Sequence, residues 1–301
     1  MGTPEFAVPS LEAHIDAGHE VAVVVTAPDK PAGRSLKIQL PPVKLCTERN
    51  SLALLQPENL KDAAFIDQLN GFAPEVGVVV AFRILPPEVF TIPKLGCINL
   101  HASLLPELRG AAPINWALIR GMTRTGVTTF LIEQKVDTGN ILLQEKSLIF
   151  PDDDAGSLSR RLSAIGAQLI IQTLTEYGSG ACKPRLQTGI PSSAPKITPE
   201  LCRINWKKPA EEIHNLVRGL SPSPTAYSEL NGKRVKVYRT RIADISTHKP
   251  GTVLDISEGR TVVACGRGGL EPLELQMEGR RRMTGVEFFR GVRLAPGTTF
   301  Q

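Results

Sequence analysis

Asn99 and His101 stand two residues apart in Gly96-Cys97-Ile98-Asn99-Leu100-His101-Ala102-Ser103-Leu104-Leu105-Pro106. A carboxamide N–H can donate to a carbonyl oxygen, and an imidazole can donate or relay a proton. Together they suit an acyl carbonyl that passes through a tetrahedral oxyanion. Thirty-six residues beyond His101, Val136-Asp137-Thr138-Gly139 adds a carboxylate in a turn-forming setting. Beside an imidazole, that carboxylate would orient the ring and favour its charged form. Taken alone, each group also fits a plainer role. Asn99 and His101 could satisfy backbone groups at a strand end, and Asp137 could be an ordinary turn residue.

The elements around these residues decide how they would meet. Cys97-Ile98-Asn99-Leu100 reads as the end of a buried strand, so Asn99 and His101 project from one face. The chain then enters a loop marked by Pro106 and Gly110, and Pro113 opens a helix. Carboxyl ends of strands are where open α/β sheets bind ligands. Gly126 to Ile132 reads as a second strand before Asp137. Strand-like Glu20–Val25 and Val76–Val80 alternate with helical patterns over Val8–Ala17, Pro57–Asn70 and Leu158–Glu176, the last with Ser157 as N-cap. This alternation predicts an α/β domain with a mostly parallel sheet.

Gly178 to Thr198 is rich in Gly, Pro and Ser and reads as a linker. Beyond it, a helix over Pro209–Gly219 precedes short strands at Arg234–Arg241, Thr252–Ile256, Thr261–Cys265 and Leu273–Gln276. Such strands suggest a small β-barrel. No G-x-x-x-x-G-K-[ST] or G-x-G-x-x-G is present, and no His, Cys, Asp or Glu cluster has metal-ligand spacing. The expectation is therefore no metal. The five cysteines are scattered and odd in number, which predicts reduced thiols in a cytoplasmic chain. No apolar stretch approaches the roughly 18–20 residues a bilayer requires.

The segments Met1-Gly2-Thr3-Pro4-Glu5-Phe6-Ala7-Val8-Pro9-Ser10-Leu11, Asn99 to Pro106, Arg109-Gly110-Ala111-Ala112-Pro113-Ile114 and Asp137-Thr138-Gly139 resemble the folate-dependent formyltransferases. The first of them narrows the resemblance to the methionyl-tRNA formyltransferase family, over essentially the whole chain. The resemblance implies a Rossmann-like formyltransferase domain over 1–180, a linker over 181–198 and an OB-like tRNA-binding barrel over 199–301. It makes Asn99, His101 and Asp137 the catalytic trio. It also implies 10-formyltetrahydrofolate as formyl donor and initiator methionyl-tRNA as acceptor, in a monomer that acts in translation initiation. Phe82-Arg83-Ile84-Leu85 resembles the pterin-binding segment. Ser103, Leu104, Leu105, Pro106, Arg109, Gly110 and Gly139 belong to the matching substrate motifs, with Ser103 and Arg109 shaping the loop more than reacting. In that family the Gly-Thr-Pro signature follows a short apolar strand. The expectation here is that the first, central strand is missing or cut short, which would expose two strand edges.

Charge is uneven. From Lys196 onward, 18 Lys/Arg face 11 Asp/Glu, a net of +7, whereas the residues before it sum to −2. The candidates for a polyanion are Lys233, Arg234, Lys236, Arg239 and Arg241, with Arg234 and Lys236 on one strand face. An ordinary solvated face fits the same numbers. Lys30, Arg34 and Lys37 sit in a Gly/Pro-containing loop that resembles the family's insertion loop, which engages the acceptor end of the tRNA. Two other readings accompany this one: the same chemistry on a smaller amine or on water, and an RNA-binding protein with a dead catalytic domain.

Overall fold

Short apolar runs punctuated by Gly and Pro become short strands and helices. The computed structural model describes residues 1–32, 37–246, 248–256, 260–292 and 298–301. A 3-10 turn at Glu5–Ala7 leads into α1 (Val8–Asp16), β1 (Val24–Val25), β2 (Lys30–Ala32), β3 (Lys37–Gln39) and α2 (Pro42–Arg49). Then come β4 (Leu54–Leu55), α3 (Ala63–Gly71), β5 (Gly77–Val80), α4 (Pro87–Phe90) and β6 (Cys97–His101). After them follow α5 (Pro113–Ile119), β7 (Arg124–Leu131), β8 (Ile141–Leu148) and α6 (Ala155–Gly178). Two compact units result, the first made of Met1–Gly110, Arg124–Leu148 and Ser159–Ala194.

The main sheet of the first unit runs β5-β6-β7-β8. β5 and β6 are parallel, while β6-β7 and β7-β8 are antiparallel. The sheet is therefore mixed, because β7 and β8 are joined by a short connection that only antiparallel neighbours can use. A separate parallel pair joins β1 and β4. The expected strand at Glu20–Val25 shrinks to its last two residues, the only ones that find this partner. Val25, Phe65, Leu69, Val79, Leu85 and Val89 form the core beside β5. Each such side chain contributes about 1.5–3 kcal/mol by leaving water.

Met1 and Gly2 lie between the ends of β1 and β5. The Gly2 N–H donates to Val25 O (3.0 Å), and the Val80 N–H donates to Met1 O (2.9 Å). Among the described residues, the position expected of a central strand holds one parallel bridge, Gly2↔Val80. The Met1 α-amine donates to Val78 O at 2.6 Å, and burial pushes its pKa down to about 6. A cavity of about 680 Å³ opens beside it, bordered by Leu11, His14, Val24, Val76 and Val78.

Three local expectations change. The helix anticipated from Pro57 begins at Ala63, where the Asp62 carboxylate accepts the Ala64 N–H (3.2 Å). α6 begins before Ser157: Asp154 Oδ1 accepts the Ser157 N–H (2.8 Å) and Ser157 Oγ accepts the Asp154 N–H (3.1 Å), a reciprocal cap. The segment read as a loop around Lys30 has antiparallel arms, β2 and β3.

The second unit comprises Ala111–Thr123, Ile149–Leu158 and Pro195–Gln301. It adds α7 (Ala210–Leu220), β9 (Ala226–Leu230), β10 (Lys233–Ala243), β11 (Val253–Ile256), β12 (Arg260–Ala264), β13 (Gly269–Met277), β14 (Met283–Thr284) and α8 (Gly285–Val292). The pairing order is β11-β12-β13-β10-β9, with β14 against β13. The core contains Trp206, Ile213, Leu220, Leu230, Val235, Leu275, Phe288 and Phe300. Among the described residues no ladder joins β11 to β9, so the barrel expected from the resemblance is an antiparallel sheet of open order. Residues 298–301 tie its two edges instead. Val253 N–H donates to Thr298 O and Phe300 N–H to Gly251 O, while Glu229 and Gln301 exchange both backbone bonds.

Candidate active site

β6 holds Asn99 and His101 in register with the strands on either side: Asn99 lies opposite Val79 and Phe130, and His101 opposite Thr128. Their alternate, Leu100, points toward α6, where a Cβ on Gly166 would strike it. Asn99 and His101 therefore share the face away from α6. The Asn99 side chain is partly exposed and has no hydrogen-bond partner among the described residues.

His101 is 6 % exposed. Its Nε2 lies 2.9 Å from Leu108 O. A carbonyl only accepts, so Nε2 carries the proton of that bond. Nδ1 is then the ring atom available to a reacting group, and it faces Asp137 Oδ2 at 3.9 Å. That separation is an ion-pair distance, too long for a hydrogen bond. The same Oδ2 accepts the Gly110 N–H at 2.8 Å, so one carboxylate oxygen addresses both the imidazole and the loop after β6. Asp137 has φ +54°, a left-handed conformation that Asp adopts more readily than most residues. Gly110 has φ +125°, and a Cβ there would lie 2.6 Å from Ala194 O, so this turn requires glycine.

The loop after β6 is pinned from several sides. Ser103 Oγ donates to Glu107 O, and Thr128 Oγ1 donates to Ser103 O while accepting the Leu105 N–H. Gln144 Nε2 reaches both Leu105 O and Thr128 Oγ1 at 3.0 Å. The Leu105-Pro106 bond is cis. Leu105 packs with Phe130 and Ile141, and Leu104 fills the space a Cβ on Gly126 would need. The side chains of Ser103, Leu104 and Leu105 thus build the loop.

The segment read as linker supplies one wall. Ser192 Oγ accepts the Leu108 N–H (2.9 Å), and Ser192 O accepts the Arg109 N–H (2.8 Å). Gln187 Oε1 accepts from Arg109 Nε and Nη2, while Gln187 Nε2 donates to Asp137 O and Gly139 O. Gln187 and Ser192 were not anticipated. Their partners lie far away in sequence, and a Gly/Pro/Ser-rich stretch carries no period that would single them out. Gly139 has a packing reason for its identity, since a Cβ there would lie 1.7 Å from Leu131 O.

Phe82 to Leu85 follow β5, whose Val80 is in register with Leu100, so this loop emerges beside the one after β6. Leu85 is a core residue, and Phe82 packs against the same core. Arg83 donates to Glu58 O (2.8 Å) and Pro57 O (2.7 Å). Ile84 is 74 % exposed. The side chains of Phe82, Arg83 and Leu85 are thus committed to the fold, and that of Ile84 faces solvent. Among the described residues, no group of three His, Cys, Asp or Glu is arranged to hold a metal.

A family model described as formyl transferase matches residues 1–174, and one described as formyl transferase, C-terminal domain, matches 196–293. The chain belongs to the formyl transferase family. Among formyl transferases it is 44 % identical over 300 residues to the methionyl-tRNA formyltransferase of Pelotomaculum thermopropionicum, covering 99 % of this chain and 96 % of that one. It is 46 % identical over 298 residues to that of Thermodesulfovibrio yellowstonii, with the same coverage. Among solved structures, an N-formyltransferase from Helicobacter canadensis, in complex with folinic acid and dTDP-3-aminofucose, has a similar fold. There the TM-score is 0.64 at 19 % identity, covering 94 % of this chain and 97 % of that one.

In the second unit of this formyl transferase, Lys233, Arg234, Lys236 and Arg239 are exposed along β10, and Arg234 lies over the Tyr227 ring at 4.2 Å. Val235 and Val237 are buried, so Arg234 and Lys236 do share the outer face. Arg241 differs. Its guanidinium is held by Glu271 at 2.9 Å, which Arg260 also approaches at 3.6 Å. It is therefore a partnered cation. Lys30 is exposed in β2, and Lys37 lies in β3. Arg34 lies outside the described residues.

Proposed function

We infer that this chain transfers the formyl group of 10-formyltetrahydrofolate to the α-amine of initiator methionyl-tRNA, a step of translation initiation. The observation that carries the mechanism is the commitment of His101 Nε2 to Leu108 O, which leaves Nδ1 facing Asp137. The neutral amine attacks the formyl carbon and forms the new C–N bond. Electrons move onto the formyl oxygen, to which the unpartnered Asn99 amide donates. Collapse breaks the bond between the formyl carbon and N10 of the donor. One proton leaves the attacking nitrogen and one arrives at N10. His101 Nδ1, backed by Asp137, donates toward the oxyanion or carries that proton.

The backbone of residues 82–85 would pair with the pterin. The exposed Lys233, Arg234, Lys236 and Arg239, with Lys30, Arg34 and Lys37, would contact tRNA phosphates. Arg241 would have to leave Glu271, which already pairs with it, to join them. We also place the protein in the cytoplasm as a monomer. Five free thiols support that compartment, and among the described residues no helix is long and apolar enough to cross a membrane.

The test is formylation of Met-tRNA by purified protein with 10-formyltetrahydrofolate, beside Asn99→Ala and His101→Ala. Each variant should lose about 10²–10³ in kcat, the usual cost of one oxyanion donor. Unchanged rates in both would remove this site from the reaction. Product on an amino-sugar nucleotide and none on Met-tRNA would replace the acceptor.

A further inference from the structure

Between residues 183 and 190 every side chain but one is exposed, and the exception is Gln187. Both hydrogens and the oxygen of its carboxamide are used. Nε2 donates to Asp137 O (3.0 Å) and Gly139 O (2.9 Å), and Oε1 accepts from Arg109 Nε (3.1 Å) and Nη2 (2.6 Å). The turn it grips needs holding, because residues 133–136 leading into it are exposed and Asp137 itself is left-handed. A turn with little side-chain packing is the kind of segment that opens locally at small cost. The Arg109 side of the clamp is itself fixed, since the Arg109 N–H donates to Ser192 O and the Ala194 N–H donates to Arg109 O.

We propose that Gln187 is a positioning residue for formyl transfer, clamping the Asp137 turn to the Arg109 loop so that the Asp137 carboxylate stays opposite His101. This rests on the formyl-transfer reading above. Gln187 touches no reacting atom and acts through Asp137. An amide is the group this place requires. A carboxylate keeps the acceptor for Arg109 but has no hydrogens for the two carbonyls, and an ammonium keeps donors but faces Arg109 with like charge.

The experiment compares the parent chain with Gln187→Ala and Gln187→Glu, alone and combined with Asp137→Asn. For both single variants kcat should fall on the order of 10–10²-fold, the scale of roughly an ångström of misplacement. KM for the formyl donor should stay within about two-fold of the parent, as expected when only transition-state stabilisation is lost. In the Asp137→Asn background, adding Gln187→Ala should cost little more, because the two act as one unit. A parent-like kcat in Gln187→Ala would overturn the proposal. So would a full additional loss in the Asp137→Asn background, which would mean Gln187 acts elsewhere.

Amide hydrogen exchange at Gly110 gives a readout independent of activity. Its N–H is held by Asp137 Oδ2 and should exchange faster in Gln187→Ala, and an unchanged rate would overturn the clamp. A parent chain that formylates nothing would sink the functional reading, while Gly110 exchange would still decide for or against the clamp.

Discussion

His101 has one nitrogen spent on structure and one left for chemistry. Because Leu108 O takes Nε2, the ring cannot rotate to offer that atom without orphaning a buried carbonyl. Gly139 is constrained just as tightly, by steric room. With a Cβ position 1.7 Å from Leu131 O, Gly139→Ala forces the backbone of the turn away from β7. We expect it to lose about 1–3 kcal/mol of stability, the usual cost of overpacking, read as a lower urea midpoint. Formylation should fall with it, since Gly139 O is one of the two carbonyls Gln187 holds. At this scale the sequence is legible where chemistry follows a short period. Asn99 and His101, two apart on a strand, announce a shared face. Gln187 does not, since its bonds reach across 48, 50 and 78 residues to groups that no local pattern names.

At the scale of elements, periodicity anticipates the longer strands and helices, and of those it misses, β8 and β9 have physical causes. β8, Ile141-Leu142-Leu143-Gln144-Glu145-Lys146-Ser147-Leu148, lacks clean alternation because its burial changes from one end to the other. β9 was hidden behind prolines, and Ser221-Pro222 and Ser223-Pro224, both cis, stand just before it. α1 carries a different signal. His14 near its end has Nε2 buried without a partner among the described residues, and its Nδ1 is 3.3 Å from that of His19. Burial first, then the His19 and Met1 charges, push the His14 pKa down to about 4. The unfolded chain therefore takes up a proton as pH falls through 6.5, whereas the folded chain stays neutral there until about 4. Stability should thus decline as pH drops across that window and level off below it. Urea unfolding at steps of pH checks this, and His14→Phe should flatten the slope.

For the molecule as a whole, the uneven charge balance and the basic run along β10 are readable from the sequence, whereas the placing of Ala111–Thr123 and Ile149–Leu158 with the second unit is not. Nor are the limits of that run, because the pairing of Arg241 with Glu271 depends on the register of β10 against β13. If the exposed cations of β10 meet phosphates, Arg234→Ala and Lys236→Ala should each weaken tRNA binding at low salt. Each should also lower the slope of log affinity against log salt by roughly 0.7–0.9. The rate at saturating tRNA should stay at the parent value. A salt titration of binding separates this from a loss of folding, which would lower the rate as well.

The path by which the chain leaves its first unit has a consequence for how such a protein can change length. Residues between two units are ordinarily where insertions and deletions accumulate without effect. Here Arg185 is bridged to Ile141, Gln187 grips the Asp137 turn, and Ser192 to Ala194 bond the Arg109 loop. Between those anchors Leu186 and the four residues from Thr188 to Pro191 stand free of them, with Ile190 90 % exposed. Extra residues are tolerable in the window from Thr188 to Pro191, while one residue gained or lost on either side of it shifts an anchor off its partner. A stretch whose composition advertises slack is thereby held nearly to a fixed count.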